Sequence, residues 1–170
     1  MLRPNTNEYP PFYQGYLNLL PEGDFSSLLA EDTANTIQLF NDIAADKHEY
    51  RYAEGKWTIK DVLMHIIDTE RGFSYRMIVC LRKDGETMLH PMDEDMYAAN
   101  ANTSARTMAS LLEEFIAVRE SARIMLENSS EDENSFMGNG AGHRVTARAL
   151  GYIMIGHAIH HVNVVKERYL

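Results

Sequence analysis

Thr107-Met108-Ala109-Ser110-Leu111-Leu112-Glu113-Glu114-Phe115-Ile116-Ala117-Val118-Arg119-Glu120-Ser121-Ala122-Arg123-Ile124-Met125-Leu126 sets the fold class. Apolar side chains recur at Met108, Leu111, Leu112, Phe115, Val118, Ala122, Met125 and Leu126, which is the 3.6-residue period of a helix with one buried face. Thr107 supplies an N-cap, and Glu113, Glu114, Arg119, Glu120 and Arg123 are assigned to solvent. Three further segments carry the same period. After Asp24, a candidate N-cap, Leu28, Leu29, Thr36, Leu39, Phe40 and Ile43 predict a first helix of about 20 residues, with Asp32 interrupting its stripe. Thr58 and Asp61 form a capping-box pattern that opens a second helix with Ile59, Val62, Leu63, Ile66, Phe73, Met77 and Cys80 inward, ending at Lys83-Asp84-Gly85. Thr146 caps a last helix that reaches nearly to Leu170 and places Leu150, Ile153, Met154, Val164 and Val165 on one face.

The segments between these helices read differently. Met1 to Gly23 holds four of the five prolines together with Tyr9, Phe12, Tyr13 and Tyr16, so an extended arm lying on the domain is expected. Glu86 to Asn102 is a long polar connection with room for a short helical turn, and Asn128 to Gly142 is a Gly- and Asn-rich loop. No strand alternation is evident. The predicted fold is therefore all-α: one domain over residues 1–170, an antiparallel four-helix bundle with a long crossover between helices two and three.

Composition narrows the function. A chain of 170 residues, 45% hydrophobic, can bury one sizeable core but not two ordinary ones. Sixteen Lys+Arg against 25 Asp+Glu give a net charge of −9, which repels polyanions and argues against nucleic-acid binding. No apolar run approaches the roughly 18 to 20 residues of a membrane span, and Met1 to Pro11 lacks a hydrophobic signal core. The single Cys80 cannot form an internal disulfide, consistent with a cytoplasmic setting.

Concentrated chemistry lies in the histidines, at 48, 65, 90, 143, 157, 160 and 161. His157 and His161 sit ~40° apart around the last helix and ~6 Å apart along it. Both share the stripe of Leu150, Met154 and Val164, so two imidazoles enter the core together. Buried neutral imidazoles need hydrogen-bond partners or a shared cation. His65 falls ~120° from the centre of the second helix's apolar face, where it is either a third ligand facing a neighbouring helix or a partly exposed histidine. His160 is ~60° off the pair's mean direction and is expected to flank the site. His48, His90 and His143 read as solvated, and Asp93-Glu94-Asp95 as a charge run with a weak claim to a lid. Glu70, near the centre of an apolar stripe, requires a partner, either a structural ion pair with Arg148 or Arg119 or a role as a site carboxylate. Cys80 reads as a core residue. No histidine follows an acidic residue at the Glu-x-x-His spacing of di-iron bundles, and neither His-Glu-x-x-His, a phosphate loop nor a Gly-x-Ser-x-Gly elbow occurs.

The stretch Lys56-Trp57-Thr58-Ile59-Lys60-Asp61-Val62-Leu63-Met64-His65-Ile66-Ile67-Asp68-Thr69-Glu70-Arg71, with Gly156-His157-Ala158-Ile159-His160-His161, resembles the DinB-like family of metal-binding bundles. The likeness spans nearly the whole chain, from Tyr9-Pro10-Pro11 through Leu111-Leu112-Glu113-Glu114-Phe115 to Lys166-Glu167-Arg168-Tyr169-Leu170. It implies a bundle, often dimeric, that holds a nickel or zinc ion through one histidine of the second helix and an i, i+4 pair of the last: His65, His157 and His161 here. It also implies activities ranging from thiol-dependent S-transfer, including a maleylpyruvate isomerase that uses a low-molecular-weight thiol, to metal-dependent hydrolysis. The expectation is a divalent-metal enzyme with an open three-histidine site. A thiol co-substrate and a small electrophile come first, hydrolysis second, with a homodimer as the assembly. The rival is a non-catalytic, stress-associated bundle in which the ion only ties helices two and four together, its shell closed by His160 or Glu70.

Overall fold

The computed structural model describes residues 1–87 and 89–170; Met88, inside the predicted crossover, lies outside the described residues. The chain runs through α1 (Gln14–Leu17), α2 (Phe25–Asp42), α3 (Ile59–Leu81), α4 (Glu94–Asn100), α5 (Met108–Glu127), α6 (Glu131–Asn134), the strands β1 (Met137–Gly140) and β2 (His143–Thr146), and α7 (Ala147–Arg168). The four long helices α2, α3, α5 and α7 begin where the sequence places them. Asp24, Thr58, Thr107 and Thr146 each accept a hydrogen bond from an amide in the first turn, and Thr58 and Asp61 complete a capping box. None of the helices is long and apolar enough to cross a membrane, among the described residues.

The bundle is not uniformly antiparallel. α3 packs against α5 and α7, and α2 packs against the same two helices, so α2 and α3, consecutive in sequence, sit diagonally. Trp57, just before α3, accepts a bond from Tyr169, just after α7, so these two helices run antiparallel. Lys60 at the start of α3 donates to the carbonyl of Arg106, just before α5, at 2.8 Å, and Arg71 pairs with Glu114 further along both, so α3 and α5 run parallel. Two parallel neighbours require the chain to return the length of the bundle between them. The predicted crossover does so, carrying α4 and a 3-10 turn at Thr103–Ala105.

Two further departures have local causes. The stretch read as a loop contains the short helix α6 and an antiparallel hairpin, pairing Met137 with Thr146 and Gly140 with His143. Its two connecting residues, Ala141 and Gly142, both have positive φ (55° and 86°), the backbone a tight hairpin demands. Gly138 lies against α3 so closely that a Cβ there would fall 2.6 Å from Cys80 Sγ. The N-terminal arm is not wholly extended, since it contains a 3-10 turn at Pro11–Tyr13 and α1. It does cover the domain. Tyr9, Leu17 and Leu20 are buried, and Glu8 is clamped by Arg148 Nε at 2.6 Å and Nη2 at 2.7 Å.

The core divides along the bundle axis. One apolar cluster gathers Phe25, Phe73, Leu126 and Tyr152; the other gathers Phe40, Leu63, Phe115 and Val165. Between them each long helix contributes a polar residue: Asp32, Glu70, Arg119 and His157. Arg119, assigned to solvent from the sequence, is 2% exposed. It donates to Glu70 Oε1 and to Asp32 Oδ2, each at 2.7 Å.

Candidate metal centre

The antiparallel pairing of α3 and α7 brings the first third of α3 opposite the middle and second half of α7. His157 and His161 lie one turn apart on α7, and His65 faces them from α3. His65 Nε2 and His161 Nε2 each lie 3.1 Å from His157 Nε2. One ligand nitrogen from each ring falls within 4.8 Å of the other two. His65, which periodicity placed at a border, is 6% exposed, because the partner helix covers that border; His157 is 4% exposed.

Burial keeps all three rings neutral. It pushes His65 down to about 4, partly opposed by the charge of Asp95 and aided by His160. It lowers His157 well below the ordinary value, with the neighbouring imidazoles and Arg119 adding to the effect, and lowers His161 to about 3. A neutral imidazole has one proton and one in-plane lone pair. His157 Nε2 can therefore serve as donor or acceptor toward one neighbour but cannot bond well to both. Its Nδ1 is buried without a partner among the described residues. Imidazole tautomers alone leave this cluster frustrated. Three lone pairs directed at one cation would relieve it, and zinc–nitrogen bonds of about 2.0–2.1 Å in a tetrahedron separate ligand nitrogens by about 3.3 Å, close to the spacing seen. The residues present fit a divalent ion.

Around the cluster, the Trp57 ring centroid lies 4.7 Å from that of His65, and Tyr16 and Phe73 stand 5.4 Å and 6.0 Å from His157. On one side a cleft of about 200 Å³ reaches the imidazoles of His65 and His157. Its walls include Tyr13, Tyr16 and Thr69, and from the crossover Pro91, Met92 and Glu94. The acidic run thus has three separate tasks: Asp93 caps α4, Glu94 lines the cleft, and Asp95 acts on His65 through its charge.

The remaining sequence candidates fall elsewhere. His160 is exposed, its ring 4.9 Å from that of His161, and it flanks the group as expected. Glu70 is held by Arg119 in a structural ion pair, while Arg148 serves Glu8 instead. Cys80 is enclosed, and burial pushes its thiol up to about 11, so it is a core residue. His48 contacts the Ile43 carbonyl at 3.0 Å, and His90 and His143 are exposed. Trp57, Thr69 and Arg76, which sequence reasoning did not single out, border the site together with Glu94 of the acidic run. Thr69 and Arg76 continue the stripe of His65 at helical spacing, a signal that becomes readable once His65 is known to face a cleft.

A family model described as the DinB superfamily matches residues 28–165. Among solved structures, YfiT from Bacillus subtilis, described as a probable metal-dependent hydrolase with an unusual four-helix bundle topology, aligns with a TM-score of 0.74. The alignment covers 98% of this chain and 90% of that one at 14% identity, a likeness of fold. No curated protein sequence matches.

Proposed function

This chain belongs to the DinB superfamily, and from that premise we propose a divalent-metal-dependent enzyme that transfers a small thiol to a small electrophile. The observation that carries this reading is the convergence of His65, His157 and His161, three neutral donors with no fourth in the group among the described residues, with His65 and His157 on the wall of a cleft. Three protein ligands with a free position are the pattern of catalytic rather than structural metal sites. A bound divalent ion, zinc or nickel by ligand type, would lower the pKa of a thiol or water and so supply a nucleophile near neutral pH.

The chain's own residues do the rest. The three imidazoles stay unprotonated and available as donors because burial disfavours their charged forms. Tyr16 and Phe73, which line the cleft, pack against His157, and Trp57 packs against His65, so aromatic rings flank the donors. Glu94, on the cleft wall, would take the thiol proton. In the transfer, sulfur forms the bond to the electrophilic carbon, the leaving group departs with its bonding pair, and the thiol proton passes to Glu94 or solvent. Hydrolysis is the second reading, favoured by the description of YfiT; there water replaces the thiol. A homodimer and a cytoplasmic setting belong to the same proposal.

The test is consumption of chlorodinitrobenzene by metal-loaded protein with and without 2-mercaptoethanol, alongside release of nitrophenol from nitrophenyl acetate. Transfer requires turnover of the aryl halide only when thiol is present, and its loss in His157→Ala. Thiol-independent ester cleavage with no aryl halide turnover would replace transfer with hydrolysis.

A further inference from the structure

We propose that Arg76, with Tyr13 beside it, is an anchor for an anionic group of the substrate; the inference rests on the reading of the cleft as a substrate site. His65, Thr69, Gly72 and Arg76 follow one another at i, i+4, i+7 and i+11 along α3, forming one stripe, and all four line the cleft. The Cα atoms of His65 and Arg76 are separated by about 16 Å along the axis at 1.5 Å per residue. Helical side chains lean toward the N-terminus, so the guanidinium reaches back toward the imidazoles. Gly72 keeps the floor between them low, because a Cβ added there would meet nothing within 4 Å.

The charge of Arg76 distinguishes it. The other arginines that are at least partly buried, Arg3, Arg106, Arg119, Arg123 and Arg148, each pair with a carboxylate. Arg76 is half-buried, as Arg3, Arg106 and Arg123 are, yet its one polar contact among the described residues is the Tyr13 hydroxyl at 3.4 Å. Its guanidinium carbon lies 5.8 Å from the centre of the Phe73 ring, the same ring that packs against His157. A planar fork with free donors matches a carboxylate or a phosphate. Thr69 Oγ1, on the stripe between Arg76 and His65, is also buried without a partner and offers a hydroxyl to a polar atom midway. Glu94 lines the cleft as well, and its charge turns an anion away from its own wall and toward Arg76. The substrate class is therefore a small organic acid or phosphate monoester with its anionic end on Arg76 and its reacting end at the imidazoles.

Isothermal titration with butyrate, methyl phosphate and the neutral butyramide tests this on both zinc-loaded and metal-free protein. The expected result is binding of at least one anion, tighter than butyramide, in both forms. Loss of a charge-assisted contact in Arg76→Gln should weaken that binding about tenfold or more, with partial recovery in Arg76→Lys and unchanged thermal unfolding. Preference for butyrate identifies a carboxylic acid, and preference for methyl phosphate a phosphate ester. In the unaltered protein, the Arg76 Nε–H resonance, assigned by its loss in Arg76→Lys, should shift on titration. Anion binding no tighter than that of butyramide, or equal in Arg76→Gln, would overturn the anchor. Binding that is lost with the metal yet indifferent to Arg76 would place the anion on the ion, removing the anchor while leaving the metal reading intact.

Discussion

Gly156, next to the central imidazole, shows how closely the site depends on single residues. A Cβ there would fall 2.3 Å from the carbonyl oxygen of Tyr16, which is backbone and cannot swing aside. Gly156→Ala should lift the arm from α7 and cost roughly 1–3 kcal/mol, read as a lower denaturation midpoint and faster proteolysis between residues 1 and 23; an unchanged midpoint would contradict the close approach. Arg119 is the second such residue. Its assignment to solvent overlooked that it stands between Phe115 and Ala122 at spacings of four and three, on the inward face. Arg119→Met should destabilise by roughly 3–5 kcal/mol, since two carboxylates would lose their shared cation. Burial raises Glu70 from 4.5 to about 7, against the pull of Arg119 and with help from the charge of Asp32. The folded state then holds more protons than the unfolded one between those values, so this group's contribution is complete below about pH 4.5 and is lost as pH rises through about 7. Glu70→Gln should flatten that part of the stability profile.

The arm is the element whose attachment depends most on one ionised group, Glu8. Burial works against the charge on Glu8, but Arg148, the Asn5 amide and side chain and the Thr146 hydroxyl outweigh it and hold the carboxyl at about 2. Its contribution is therefore present above about pH 4.5 and is lost as pH falls toward 2. Acid-dependent release of the arm, measured by cleavage near its prolines, should be absent from Glu8→Gln, whose arm is already loosened at neutral pH. The same elements mark what was readable in advance. Asp24, Thr58, Thr107 and Thr146 gave four helix starts because a cap is a local hydrogen bond between residues three apart. The hairpin escaped because Met137-Gly138-Asn139-Gly140 carries no alternation of apolar side chains, and it is a strand through its pairing with His143–Thr146, with Gly138 packed on Cys80. Helix direction escaped too: periodicity says which face is buried, not which helix covers it. His157 and His161 were readable as a pair for the same local reason, while His65 needed the α3–α7 contact.

At the scale of the whole molecule, a polar layer of Asp32, Glu70, Arg119 and the histidines separates two apolar clusters. Arg119 can meet both Asp32 and Glu70 at only one register of α2, α3 and α5, so the layer favours that alignment. A cation held between those helices would join segments about ninety residues apart (His65 to His157) and stabilise the fold by mass action, about 2.7 kcal/mol at a hundred times its dissociation constant. Added zinc should therefore raise the unfolding temperature of metal-free protein and leave that of His157→Ala unchanged. The most direct measurement is the transition-metal content of tag-free protein, wild type beside His65→Ala, His157→Ala and His161→Ala, with helicity checked by circular dichroism. Three donors around one ion require about one metal per chain in the wild type and near none in the folded variants. Full occupancy in any of the three would contradict the shared centre.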